Sequence, residues 1–128
     1  MKKKILIILL CTILFVLIGA SLYLKRLVND VNSITVSNLN MANITDGIYV
    51  GKYSITPVYV EVEASVTEHK ITNIKIIKHE NGLGGKAEKI VDDVISRQSL
   101  EVDAVSGATV SSKCIIKTIE NALQSGSK

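Results

Sequence analysis

The sequence predicts an α+β fold: a small antiparallel sheet packed with two helices, preceded by one N-terminal transmembrane helix. Three observations lead there. An uncharged apolar run fills Ile5 to Leu24, a two-residue alternation follows from Val58 to Val66, and apolar residues recur at helical spacing in two later segments, Ala87 to Ile95 and Ile115 to Leu123. A period of two belongs to a strand with one buried face, and a period near 3.6 to an amphipathic helix. Strands first and helices after is the order of an α+β domain.

As a helix, the run from Ile5 to Leu24 extends about 30 Å, the thickness of the hydrocarbon layer of a bilayer. Lys2, Lys3 and Lys4 precede it, and Lys25 and Arg26 follow. The basic excess on the N-terminal side favours keeping that end in the cytoplasm and the remainder outside. Small residues at Gly19-Ala20-Ser21 offer the alternative of a cleaved signal peptide, although the apolar run continues through Leu22-Tyr23-Leu24. Leu10 stands before Cys11 where a lipoprotein signal has a small residue, so Cys11 reads as a lipid-facing or helix-packing residue. Residues 1–26 are therefore the expected anchor. From Leu27 to Thr45 the composition turns to Asn, Ser and Thr with isolated aliphatics and no period, which predicts a flexible linker over 27–45.

Asp46-Gly47 is a turn signal opening the folded domain, expected over 46–124. Ile48 to Tyr53 reads as a first strand. Val58, Val60, Val62, Ala64 and Val66 alternate with Tyr59, Glu61, Glu63 and Ser65 in a second, and Ile71 to Lys78 forms a third with a less regular pattern. Together they make an antiparallel meander. A glycine-rich loop, His79-Glu80-Asn81-Gly82-Leu83-Gly84-Gly85, leads to a helix expected from about Lys86 to Arg97. A short extended piece, Leu100 to Val105, precedes a second helix with Ile115, Ile119, Ala122 and Leu123 on one stripe.

Composition narrows the function. The formal charge is +3, but between Asp46 and Leu123 nine Lys and Arg face eleven Asp and Glu, leaving about −2. That domain has no basic patch for nucleic acid. Cys11 and Cys114 are too differently placed for a disulfide framework, and Cys114 with His69 and His79 makes no metal spacing, so no metal is expected. There is neither a Ser-His-Asp set nor a nucleotide fingerprint for NAD.

The candidate site is Ser106-Gly107-Ala108-Thr109-Val110-Ser111-Ser112, four hydroxyls with a glycine and an alanine just ahead of a helical stripe. The first amides of a helix lack internal acceptors and point along its positive end, so small residues there let a phosphate approach. The same residue types also serve as ordinary N-caps, and the pattern by itself leaves both readings open.

Asp103-Ala104-Val105-Ser106-Gly107-Ala108-Thr109 resembles the Asp-x-x-Ser/Thr-Gly-Ala-Thr signature of the FMN-binding domain family, which includes FMN-bearing subunits of sodium-pumping NADH:quinone reductases and small extracytoplasmic electron-transfer flavoproteins. The resemblance spans approximately Asp46 to Leu123. It implies FMN as cofactor, joined through a phosphoester to Thr109 by a separate flavin transferase, with Ser106, Gly107 and Ala108 around the attachment and Asp103 orienting the hydroxyl or binding the transferase's metal. The upstream loop is similar to a family segment of His, Glu and a Gly-Leu-Gly turn, with shorter spacing here. On that match Gly82, Leu83 and Gly84 pass close to the flavin and Leu83 covers one ring face, while His79 and Glu80 are candidate contacts; taken alone, His79 reads as a polar residue at a strand end ahead of a ligand. The expected function is a membrane-tethered extracytoplasmic electron carrier between a redox donor and acceptor, with a subunit of a larger ion-translocating oxidoreductase or a non-redox scaffold module as alternatives.

Overall fold

The computed structural model describes residues 1–80 and 84–127. Two compact units divide the chain, Met1–Ser33 and Ile34–Lys128. The first is one helix, α1 (Lys2–Asn32), long and apolar enough to cross a membrane by length and composition, a test that an N-terminal signal sequence also passes. Its eighteen-residue apolar window has no buried residue, and Cys11 is exposed with it.

The second unit has the predicted α+β architecture. Strands β1 (Gly47–Ile55), β2 (Val58–Thr67) and β3 (Lys70–Glu80) form an antiparallel sheet in the order β1-β2-β3. In β2 the five alternating residues Val58, Val60, Val62, Ala64 and Val66 are all buried, as their period requires. The weaker alternation of β3 has a physical cause. Its pairing with β2 steps from Ile71 to Asn73 and from Ile76 to Lys78, so Thr72 and Ile77 are extra residues at two bulges. Each bulge resets which face the next side chain takes, which puts Ile71 and Ile74 in the core and leaves Ile77 exposed.

Helices α2 (Ile90–Arg97) and α3 (Thr109–Gln124) cover the buried face. The helix expected from Lys86 is preceded by a 3₁₀ turn at Gly85–Lys89, where Ala87 N–H donates to Gly84 C=O, and is α-helical only from Ile90. It ends at Gln98, whose left-handed backbone turns its amide onto β3: Nε2 donates to Ile71 C=O at 2.8 Å, and Oε1 accepts Ile71 N–H at 2.7 Å. Gln98 thus satisfies the end of an edge strand in place of a fourth strand.

The linker expected over 27–45 divides differently. α1 continues to Asn32, and from Ile34 the chain belongs to the second unit. Ser37 N–H donates to Glu120 Oε1 at 3.0 Å, Lys117 Nζ donates to Thr35 C=O at 2.9 Å, and Asn38 Nδ2 donates to Glu101 Oε1 at 3.1 Å. Ile44 is fully buried and pairs with Ser127 in an isolated β-bridge, while Thr45 N–H donates to Gly126 C=O. Polar composition suggests a free tether, but these backbone groups and the aliphatics among them have partners far along the chain.

Gly51 sets the depth at which α3 lies on β1. A Cβ there would overlap Thr118 C=O and come within 2.6 Å of Ala122 N, both backbone atoms of the helix. Neither can yield without moving the helix, so Gly51→Ala is expected to destabilise the domain by about 2 kcal/mol. Denaturant unfolding of the full chain in detergent, followed by circular dichroism, measures this; an unchanged midpoint contradicts the close approach.

Candidate functional site

The start of α3 is built by the turn Val105–Ala108 in front of it and the 3₁₀ turn Gly85–Lys89 beside it. Ala108 N–H donates to Val105 C=O at 2.9 Å, Ser112 N–H donates to Ala108 C=O at 2.9 Å, and Ser112 Oγ accepts Val105 N–H at 2.9 Å. Ser112 therefore braces the turn against the first turn of the helix. Within that turn Gly107 has φ +74°, a backbone conformation that glycine adopts without strain. A Cβ on Gly107 would lie 2.7 Å from Lys86 Nζ, so the Lys86 ammonium stands over the bare face of the glycine.

This geometry sorts the four hydroxyls. Ser111 and Ser112, within the helix, are buried, whereas Ser106 and Thr109 are exposed, and of that exposed pair Thr109 belongs to the helix. The helix cap, Ala108, has no side-chain acceptor, and the first turn carries no acidic residue. The positive end of a sixteen-residue helix thus meets an exposed hydroxyl, a glycine and an ammonium group. That combination suits a phosphate.

The other sequence candidates are distributed around this point. Asp103 is exposed in the piece that leads into the turn. His79, near the end of β3, has its side chain almost fully buried, with Nδ1 at 2.9 Å from Glu88 Oε1, so it ties the strand to the 3₁₀ turn that carries Lys86. Glu80 instead forms an exposed ion pair with Lys78 at 2.9 Å. Gly84 is buried and accepts from Ala87 N–H, opening the same 3₁₀ turn. Gly82 and Leu83 lie outside the described residues.

Lys86 and the brace at Ser112 are features that sequence reasoning misses. Lys86 reads as one more surface lysine, and the only signal of its role is its place two residues after Gly84. Ser112 reads as another hydroxyl near a helix start, although it is committed to holding the turn. Among the described residues no group of three His, Cys, Asp or Glu could hold a metal ion.

The model of the FMN-binding domain family matches residues 54–124, more than half of the chain. The search of curated proteins finds no match to the chain.

Cys114, one turn into α3, is fully buried in the core, and burial pushes its thiol up to about 11 despite a backbone hydrogen bond at Ile55. At neutral pH it is a small apolar residue and a poor nucleophile. Iodoacetamide is expected to leave Cys114 unmodified in the folded chain and to alkylate it once the chain is unfolded in urea, read by peptide mass. Rapid alkylation of the folded chain contradicts the burial.

Proposed function

The chain belongs to the FMN-binding domain family, and from that premise we propose that it is a membrane-tethered extracytoplasmic flavoprotein whose FMN is esterified to Thr109 and which passes electrons between redox partners. FMN is the cofactor. The observation that carries the attachment point is the sorting of hydroxyls at α3: Ser111 and Ser112 are buried, and Thr109 is exposed at the helix start.

The residues present fit the group. The Lys86 ammonium, over the bare face of Gly107, and the α3 dipole supply positive charge for the phosphodiester anion. Ser106, Gly107 and Ala108 have side chains too small to obstruct a bulky substituent on Thr109. Attachment by a flavin transferase replaces the hydroxyl proton of Thr109 with the FMN phosphoryl group of FAD, with AMP as the leaving group. Asp103, exposed six residues earlier, is available to the transferase or its metal.

When bound, FMN supplies one- and two-electron chemistry, and the chain contributes binding, orientation and electrostatics. Lys86 and the helix end favour added negative charge nearby, and His79, through Glu88, steadies the turn that presents Lys86. The chain is read as a carrier, with donor and acceptor as separate proteins. α1 and the lysines ahead of it support a single span with the domain on the outer side.

Coexpression with a flavin transferase, followed by denaturing electrophoresis and in-gel flavin fluorescence, tests the assignment. Thr109→Ala is expected to lose the fluorescent band with expression unchanged, while Thr109→Ser retains a weaker one. A full-strength band from Thr109→Ala, or flavin mapped to Ser106, contradicts it.

A further inference from the structure

The two edges of the sheet are finished differently. β3 is interrupted by two bulges, and the Gln98 amide meets its open side. β1 runs for nine residues in unbroken register with β2. Bulges and capping side chains are what keep an edge strand from pairing with another chain, and β1 has no bulge.

The hairpin fixes which backbone groups of β1 are free. Ile55 and Val58 flank a two-residue turn and close the ladder as a hydrogen-bonded pair, so the odd-numbered residues of β1 face β2 while Ile48, Val50, Lys52 and Ser54 turn N–H and C=O outward. Lys52 C=O accordingly accepts Asn121 Nδ2 at 3.0 Å. The outward backbone groups of Ile48 and Val50 have no partner among the described residues. Their side chains are 67% and 47% exposed, on the sheet face opposite α2 and α3, beside Ser65 and Glu63 of β2.

A second copy of the chain presents the same edge in reverse order, and one register matches the two. Centred on Tyr49, it sets Ile48 opposite Val50 of the second copy and Lys52 opposite Asp46, each pair occurring twice. These four positions share parity and hence one face. Asp46 is exposed just ahead of β1, and the Glu68 and His69 backbone amides hold its carboxyl below the usual carboxylate range, so it is an anion at neutral pH. β1 contains no acidic residue, and no other register along it opposes Lys52 to a carboxylate. A lysine ordinarily blunts an edge strand. Here it discriminates between registers, while its exposed contact with Glu61 at 3.2 Å can be shared.

We propose that β1 of two copies pairs edge to edge, antiparallel and centred on Tyr49, joining two three-stranded sheets into one of six strands. Ile48 and Val50 exchange both backbone hydrogen bonds across the axis, their side chains cover each other, and Lys52 and Asp46 close the two ends. The interface is small. It therefore belongs to copies held in one membrane, where confinement raises their effective concentration, and to that extent it rests on the tether proposed above.

The test uses the full chain in carbonate-washed membranes, with Cys11→Ser throughout to remove the exposed thiol of α1. Ile48→Cys and Val50→Cys chains bearing different tags are coexpressed and treated with a short bifunctional thiol reagent, and dimers are read on denaturing gels. In the proposed register residues 48 and 50 are directly opposed, about 5.5 Å apart at Cα, whereas each residue meets its own copy only on the diagonal, at about 7–8 Å. The mixed pair is expected to crosslink severalfold more than either chain alone, and more than Ile77→Cys at the exposed bulge of β3. Adding Lys52→Glu to both chains is expected to lower the mixed yield severalfold and Lys52→Arg to keep it; Lys52→Gln carries the same direction should Lys52→Glu not fold. A mixed yield no higher than that of Ile77→Cys overturns the pairing and leaves the tether standing. Strongest crosslinking by Val50→Cys alone, or a yield indifferent to the charge at 52, overturns the register and the proposal with it. A chain absent from the washed membranes removes the tether, and the pairing as proposed falls with it.

Discussion

The rest of the domain depends on how closely α3 lies on β1. At Gly51 the helix backbone rests on a strand position with no side chain, where even a methyl group would meet Thr118 C=O and Ala122 N. Interiors are packed tightly enough that such a contact fixes depth and direction together. With the helix held there, Ser111, Ser112, Ile115 and Ile119 are buried, and Thr109, at the free end, faces solvent. Exposure of the hydroxyl at the helix start thus follows in part from packing about two and a half to three and a half turns away, and the Ser112 brace fixes the turn in front of it.

The same helix has a second used face. Lys117 and Glu120 hold residues 35–37 through backbone hydrogen bonds, and the carboxylate is fully buried when it does so. Removing a carboxylate from water is costly unless its oxygens are matched, and here each oxygen has a close donor. A buried ion pair adds little net stability on its own. Its value lies in specifying where a polar, otherwise featureless stretch of chain must run. The sheet face of α3 therefore sets the fold, and the opposite face sets the course of the segment that enters it.

Legibility from sequence followed how local the determining physics was. β2 is legible residue by residue because its alternation is uninterrupted and one face is buried. β3 is legible as a strand but not in its facing, since the bulges at Thr72 and Ile77 come from pairing with β2 and leave no mark in composition. The start of α2 is blurred because a 3₁₀ turn carries the same apolar spacing for one turn. Residues 34–45 are the largest departure: Asn, Ser and Thr promise a tether, and the partners that fix them, Glu101, Glu120 and Gly126, lie at the far end of the chain. At the candidate site the signature points to the helix start and to FMN. It does not reveal Lys86 over Gly107 or the commitment of Ser112 to the turn, both of which are contacts across the fold.

Intact-mass spectrometry of the chain purified from its own host and fully denatured tests the central claim most directly. The account predicts one species heavier than the polypeptide by one FMN less one water, with the added mass on the peptide containing Thr109. A chain that contains flavin when folded but has the unmodified mass after denaturation would contradict the phosphoester and return FMN to a reversibly bound ligand.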